Sequence, residues 1–330
     1  MKLGVIKEIN NIHKDYIEAC EDLNIKYELI DITSKDWIKN IEQFDGDGFL
    51  VRPSCSKAIW KEMYDEKLYF INKILKYPIY PSYNELFIYE NKRNMAYWLE
   101  ANNIPMPQTF VFYNKREALD FAVSYKNYPI FFKPNIGSGS LGIRLIKNQK
   151  EAIKLIEKMF TKWKFYNLGY TKWKKSKYKI PYPIMDDKQF NNILFQERIN
   201  VKHEWRGVKI GNSYFAHKKL PDTKGLRSGS GKANYDTPPK AVMDFLKYVC
   251  DIGNFNSMNV DFFEDEHGAF FVNELQTIFG SKIKPYQMCV NGTPGRYLYV
   301  EDKWIFEEGM FNKNNSWNLR VEDFLNQLKK

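Results

Sequence analysis

Short apolar runs alternate with helical patterns in residues 1–80. The runs at 2–6, 27–30 and 47–51 are short and apolar, as buried strands are. A helical pattern of apolar positions covers residues 16–23, between the first two runs. The order of strands and helices predicts a small α/β unit.

The next part of the chain predicts strands and helices around a glycine-rich loop. Apolar positions at helical spacing predict one continuous helix over residues 84–102. Further strands are predicted at 109–113, 129–132 and 143–146, and further helices at 117–125 and 150–160. The last two strands flank the glycines, so this stretch predicts strand, glycine loop, strand.

The remainder of the chain predicts hairpins around one helix. The predicted elements are a strand at 193–196, a hairpin of 205–210 with 214–218, a helix at 238–252, and a hairpin of 258–263 with 269–275. Together with the first unit, these elements predict an α/β class with additional α+β lobes.

Composition narrows the class of protein. The chain has 330 residues and a formal net charge of +10, which suits nucleic acid, an anionic membrane surface or small acidic substrates. No apolar run approaches the roughly 18 residues that cross a bilayer. The four cysteines are scattered without a C-x-x-C pair, which disfavours a zinc site or a disulfide framework. We expect a protein of the reducing cytoplasm with no membrane partner.

Part of the positive charge is local. Residues 158–179 interleave lysines with aromatic side chains and contain no acid. Phosphate contacts and base stacking would use this pattern. A charge run is more often a solvated face, so nucleic acid is the less favoured partner.

The glycine loop indicates phosphate binding. Gly137, Gly139 and Gly142 leave the backbone without Cβ atoms, so amide N–H groups can approach phosphate oxygens. Lys133 precedes the loop and adds a point charge. A Rossmann loop needs a helix after the glycines, and a kinase loop needs its lysine on a later strand. Neither template fits, and a glycine-rich hairpin without a ligand stays open as an alternative.

A second polar loop lies at residues 220–233, where GSGK is similar to the end of a P-loop. The full pattern fails because position 226 is Leu and Ala233 follows the lysine. A substrate or lid loop and a plain surface linker are equally consistent with this composition.

Three oxygen-bearing side chains lie in phase on the last predicted hairpin. Asp261, Glu274 and Gln276 share one face if the two strands pair in register. Two carboxylates and an amide oxygen suit a hard cation such as magnesium. Isolated acidic residues on adjacent strands are more often solvated or salt-bridged.

Taken in order, these stretches resemble the ATP-grasp superfamily, which includes D-alanine:D-alanine ligase and the ribosomal-protein glutamate ligases. The resemblance covers roughly residues 80–285 and rests on the segments ENKRNMAYWLEANNIPMPQT, IFFKPNIGSGSLGI, LFQERI, HEWRG, NVDFF and VNELQ. It implies a small α/β domain at 1–80, a central lobe at 81–195 with a basic aromatic insert at 158–192, and a C-terminal lobe at 196–330 with the metal site and a C-terminal helix. ATP is expected between antiparallel sheets.

The resemblance also implies roles for individual residues. Lys92 and Lys133 match the lysines that reach the phosphates of ATP. The strand that holds adenine is matched by Gln196, Glu197 and the backbone around Ile199. Glu204 matches the residue that accepts a hydrogen bond from the ribose hydroxyls. The phosphate-covering loop would be Gly137, Ser138, Gly139, Ser140 and Gly142. Arg206 and Lys218 match cationic positions that usually face the phosphates or the acyl phosphate. The attacking amine is expected near Arg227 and the loop at 220–233. Asp261, Glu274 and Gln276 match the metal ligands, although the family usually has Asn at the last position.

The expected activity is ATP- and Mg²⁺-dependent joining of a small-molecule carboxylate to an amine through an acyl phosphate, with Mn²⁺ as an alternative metal. A carboxylate is a poor electrophile, which is why such a reaction needs ATP. A kinase acting on a hydroxyl or amide is one alternative, and an inactive polymer-binding protein is another. Relatives of this kind also make a homodimer an option. Arg52 is a further candidate for binding the carboxylate, and the four histidines are expected to be surface or structural residues.

Overall fold

The computed structural model describes residues 1–137, 142–160, 189–221, 232–279 and 284–329. Within these ranges the chain forms three sheets. Among the described residues, no helix combines the length and the apolar character that a bilayer span requires.

The first sheet is parallel, as expected for strands connected by helices. Its order is β2-β1-β3-β4. The strands are β1 (Lys2–Ile6), β2 (Lys26–Ile30), β3 (Gly48–Leu50) and β4 (Ile79–Tyr80), and the helices are α1 (Lys14–Asp22), α2 (Trp37–Glu42) and α3 (Ala58–Tyr69), which continues as a π-helical turn (Phe70–Ile74). The small α/β unit predicted from the sequence is present.

The predicted continuous helix at 84–102 is wrong, because the chain forms two helices there. They are α4 (Tyr83–Ile88) and α5 (Lys92–Ala101). Between them Glu90 adopts a φ of 51°, which cannot continue a right-handed helix. Asn91 then caps the second helix, since its side chain accepts a hydrogen bond from the Asn94 N–H at 3.1 Å.

The second sheet is antiparallel, with the order β5-β8-β6-β7. Its strands are β5 (Thr109–Phe112), β6 (Ile130–Phe132), β7 (Arg144–Ile146) and β8 (Ile193–Glu197), and its helices are α6 (Lys115–Ser124) and α7 (Gln149–Met159). Ile130, Phe132 and Phe195 are buried against these helices. Because side chains alternate along a strand, Phe131, Lys133 and Gln196 lie on the opposite face.

The third and largest sheet has the order β13-β12-β9-β10-β15-β14, with β11 paired to β10 and β16 to β15. The strands are β9 (His203–Ile210), β10 (Ser213–Lys219), β11 (Ala233–Asn234), β12 (Ser257–Glu264), β13 (Phe270–Gln276), β14 (Cys289–Val290), β15 (Thr293–Val300) and β16 (Lys303–Glu308). Helix α8 (Lys240–Ile252) covers one face, where a Cβ at Gly207 would lie 2.8 Å from Leu246. The strands after β13 were not anticipated, because Pro294 and Gly295 interrupt the apolar pattern of β15.

The last helix, α9 (Trp317–Leu328), returns to the first sheet. Trp317 packs edge-on against Tyr16 of α1 with 4.4 Å between ring centres. Val321 and Phe324 lie in the same apolar core as β1 and β3. The C-terminal helix therefore ties the largest sheet to the first unit of the chain.

Candidate functional site

Four charged or polar side chains form a row across the open face of the largest sheet. His217 of β10 pairs with Arg206 of β9, Arg206 pairs with Asp261 of β12, and Asp261 pairs with Glu274 of β13. Directly paired residues share a face of a sheet, so the four side chains are neighbours. The predicted register of Asp261 with Glu274 is confirmed.

Asp261 is buried and its carboxylate is saturated with hydrogen bonds. Oδ1 accepts from Arg206 Nε at 2.9 Å and from Asn259 Nδ2 at 3.1 Å. Oδ2 accepts from Arg206 Nη2 at 2.9 Å and from Lys219 Nζ at 3.1 Å. Burial alone raises a carboxyl pKa, but Arg206 and Lys219 hold the pKa of Asp261 well below its usual range. All four lone-pair positions of the carboxylate are in use.

The second cation of this cluster is Lys219, and Lys218 lies elsewhere. Lys219 Nζ bonds Glu204 as well as Asp261. Lys218 is on the opposite face of the strand, with its Nζ 5.0 Å from the ring centre of Trp205. The structure therefore corrects the placement of Lys218, because a shift of one residue along a strand moves a side chain to the other face.

Lys133 connects the second sheet to the third. It follows β6, and its Nζ donates to Asn273 Oδ1 at 3.1 Å. Asn273 is the extra residue of a bulge in β13, where Asp261 pairs with Glu274 and Phe262 with Val272. Burial is the main cause that lowers the pKa of Lys133 to about 8, with Glu274 opposing the shift and Lys92 adding to it.

Lys92 joins the start of α5 to the glycine loop. Its Nζ donates to the Gly137 carbonyl at 2.6 Å, and its backbone N–H donates to the Asn135 carbonyl at 3.0 Å. Gly137 and Gly142 have φ values of 148° and 78°, which side chains with a Cβ rarely adopt. The other predicted loop residues, Ser138, Gly139 and Ser140, lie outside the described residues.

The predicted adenine strand presents its side chains to different faces. Gln196 is buried on the face that carries Lys133, and its Nε2 donates to Thr109 Oγ1 at 3.0 Å. Glu197 lies on the helix-covered face, where its carboxylate accepts a hydrogen bond of 3.0 Å from the Tyr125 hydroxyl. Ile199 follows the strand and is half-buried. Only the backbone of Glu197 can therefore serve the face between the sheets.

Oxygen atoms suited to a hard cation lie beside Glu274. Gln276 Nε2 donates to Glu90 Oε1 at 3.3 Å. Among the described residues, Glu90 Oε2 and Asn259 Oδ1 are buried and have no hydrogen-bond partner. This donor set fits Mg²⁺ or Mn²⁺, whereas Asp261 has no lone pair left for a metal.

In the described part of the chain, no three His, Cys, Asp or Glu side chains converge tightly enough to hold a metal ion by themselves. Burial raises the pKa of Glu90 to about 8, and Lys92 opposes this shift while the nearby Glu274 adds to it.

Two further residues qualify the sequence-based predictions. Arg227 lies outside the described residues. Arg52 is paired with Asp15, donates to the Ile12 carbonyl at 2.9 Å, and stacks on Trp317 at 4.8 Å. Its charge is thus neutralised, which makes it a weak candidate for binding a carboxylate. The sequence analysis did not single out Glu90 or Lys219. Lys219 could have been found from its position along the strand, because alternation places it on the same face of the hairpin as Glu204 and Arg206.

Comparison with known proteins identifies this architecture. Residues 91–211 match the family model described as the ATP binding domain of the carbamoyl-phosphate synthase L chain. The fold is similar to that of a RimK domain ATP-grasp protein from Sphaerobacter thermophilus, with a TM-score of 0.51 and 12% identity over 84% of this chain and 92% of that one. The chain has the ATP-grasp fold.

Other ATP-grasp proteins agree with this placement. D-alanine–D-alanine ligase from Bacillus anthracis, solved with ATP, has a TM-score of 0.58 and 12% identity over 100% of this chain and 99% of that one. Such low identity shows the shared fold alone. The alpha-aminoadipate–LysW ligase LysX of Saccharolobus solfataricus is 30% identical over 130 residues, which are 38% of this chain and 44% of LysX. The chain thus matches less than half the length of this curated relative.

Proposed function

We propose that this ATP-grasp chain is an ATP- and Mg²⁺-dependent ligase that joins a carboxylate to an amine. One observation carries the proposal. Lys92 and Lys133 come from different elements, meet between the second and third sheets, and bond only neutral oxygens among the described residues. Two cations that donate no hydrogen bond to a carboxylate among the described residues, at the entrance to a glycine loop, are suited to the phosphates of ATP.

The electrostatics of the site support an anionic ligand. Burial lowers the pKa of Lys133 to about 8, so its charged form is stabilised by an anion that enters the site. Arg206 and Lys219 are neutralised by Asp261 and Glu204, whereas Lys92 and Lys133 form no such ion pair in the described part of the chain. A bound divalent cation neutralises phosphate charge during transfer, and Glu274 and Gln276 are the residues suited to hold it.

The proposed reaction has two steps. A carboxylate oxygen attacks the γ-phosphorus of ATP, the bond to the β-phosphate oxygen breaks, and ADP leaves with that electron pair. The amine then attacks the acyl carbonyl carbon, the bond to the phosphate oxygen breaks, and inorganic phosphate and a proton are released. Lys92 and Lys133 would stabilise the charge that develops on the transferred phosphoryl group.

The names of the similar proteins favour a ligase. D-alanine–D-alanine ligase and alpha-aminoadipate–LysW ligase are both named for joining two molecules. All four cysteines of this chain are free thiols, which suits a reducing cytoplasm. We therefore assign carboxylate and amine substrates of small size, without naming either one.

An isotope experiment tests this function. Purified protein is incubated with ATP, Mg²⁺, an amine mixture and ¹⁸O-carboxylates, and ADP release and products are followed by mass spectrometry. A ligase moves one ¹⁸O into inorganic phosphate and forms an amide. A kinase instead leaves the phosphoryl group on a substrate, and that product would contradict the ligase assignment.

A further inference from the structure

The root of the glycine loop, residues 135–137, is held from two sides by groups outside the loop. On one side it meets the start of α5. Asn91 and Ile136 form an isolated antiparallel bridge, and the Lys92 N–H donates to the Asn135 carbonyl at 3.0 Å. These contacts use the N–H groups that the first turn of a helix leaves without a partner.

On the other side lies Gln189, a buried glutamine between α7 and β8. Its Oε1 accepts from the Ile136 N–H at 2.9 Å, and its Nε2 donates to the Ile136 carbonyl at 2.8 Å. One side-chain amide thus exchanges both hydrogen bonds with a backbone residue, as a neighbouring strand does. Gln189 is 8% exposed and Ile136 is 4% exposed. Loss of the amide is therefore costly, because it removes partners from two buried backbone groups.

The position of Gln189 is fixed by the second sheet. The Asn191 N–H donates to the Met159 carbonyl at 2.9 Å, which joins this segment to the end of α7. The chain then enters β8, which pairs with β6. The loop root follows β6, so Gln189 and the loop root start from neighbouring strands of one sheet. A side chain held in this way can set the position of the group that it bonds.

A short chain of contacts leads from Gln189 to Lys92. Ile136 is followed directly by Gly137, and the Gly137 carbonyl accepts from Lys92 Nζ at 2.6 Å. Peptide units are rigid planes, so a fixed Ile136 restricts where the next carbonyl can lie. The amide of Gln189 therefore restrains the oxygen that holds the Lys92 ammonium.

We propose that Gln189 is a positioning residue for phosphate binding, which holds the Lys92 ammonium in place through Ile136 and Gly137. This inference rests on the proposed function, in which Lys92 binds a phosphate of ATP. A displaced ammonium loses both its charge-assisted hydrogen bond and part of its attraction to a phosphate oxygen. Gln189 thus contributes to ATP affinity by way of Lys92.

A double-mutant cycle on ATP affinity tests the inference. ATP with Mg²⁺ is titrated calorimetrically into wild type, Gln189→Met, Lys92→Met and the double variant. Methionine keeps the approximate length of glutamine but cannot replace its amide, so Gln189→Met should weaken ATP binding by about fivefold or more. In the Lys92→Met background the same substitution should change the affinity by less than about twofold, because the ammonium that it positions is absent.

A matched control separates this role from a general loss of stability. Gln287 is also buried, and its Nε2 donates to Asn312 Oδ1 at 2.9 Å, before α9. Gln287→Met should lower the midpoint of thermal unfolding and leave ATP affinity within about twofold of wild type.

A milder variant serves if Gln189→Met does not fold. Gln189→Asn keeps an amide that is one methylene shorter and cannot bond both backbone groups of Ile136. It should weaken ATP binding by about threefold or more, again only where Lys92 is present.

The outcomes distinguish the inference from the proposed function. ATP affinity within about twofold of wild type in both Gln189 variants, or equal losses with and without Lys92, overturns the role of Gln189 alone. Wild type that binds no ATP, or Lys92→Met that binds ATP as tightly as wild type, contradicts the proposed phosphate site and the inference together.

Discussion

Arg206 and Asp261 face each other across β9 and β12 and exchange two hydrogen bonds of 2.9 Å each. The pair is bidentate and its carboxylate is 1% exposed. Such a pair fixes the position of the guanidinium, and breaking one side of it is costly because the other charge stays buried.

Breaking this pair should destabilise the fold. Arg206→Met leaves Asp261 with Lys219 as its remaining ion-pair partner among the described residues, and we expect a loss of about 3 kcal/mol in the free energy of unfolding. The double variant Arg206→Met, Asp261→Leu should lose less than the sum of the two single variants. Urea unfolding of the four proteins measures this, and strictly additive losses would contradict a coupled pair.

The two neighbouring lysines of β10 should differ in function. Lys219→Met removes the cation that Glu204 and Asp261 share. The negative charge that remains repels phosphate, so ATP affinity should fall by about tenfold or more. Lys218→Met alters only the opposite face of the strand, against Trp205. Its ATP affinity should therefore stay within about twofold of that of wild type. Calorimetric titration with ATP measures both, and a larger effect at Lys218 would reverse the assignment.

ATP binding should depend on pH through Lys133. The pKa of Lys133 is lowered to about 8, and only the protonated amine attracts phosphate. Affinity should therefore be constant below pH 8 and fall as the pH rises above it, by up to about tenfold per pH unit. Lys133→Arg stays charged and should show a flat profile between pH 7 and 9.5. A flat wild-type profile would show that Lys133 does not contact the phosphates.

Stability should depend on pH through His217. Its ring nitrogen Nδ1 bonds the Gln287 carbonyl at 2.8 Å, and burial lowers its pKa to about 4, with Arg206 as the next cause. The folded state thus disfavours the charged ring. The contribution of the neutral His217 ring to stability is therefore fully present above pH 6.5 and is lost as the pH falls to 4.

The expected loss from His217 is on the order of 3 kcal/mol between pH 7 and 4. His217→Asn keeps an N–H donor for Gln287 but cannot titrate, so its stability should fall less over this range. Chemical unfolding at both pH values measures the difference. Parallel curves for the two proteins would contradict a buried neutral ring.

The sequence was sufficient for much of the fold and for part of the site. Alternation along two strands and a short turn predicted the facing of Asp261 and Glu274, because hairpin register follows from the turn. The sequence placed Lys218 on the wrong face of β10. A shift of one residue moves a side chain to the other face of a strand, and only the strand pairing determines that register. Glu90 was missed because a helical pattern ran across it, and nothing in its residue type signals a left-handed φ.

Lys92 and Lys133 are proposed to bind the phosphates of ATP between the second and third sheets. Calorimetric titration of ATP with Mg²⁺ into wild type, Lys92→Met, Lys133→Met and the Lys218→Met control tests it most directly. We expect one nucleotide per chain in wild type and in the control, and affinity weaker by about tenfold or more in each of the other two variants. Wild type that binds no nucleotide, or equal affinity in all four proteins, would contradict the claim.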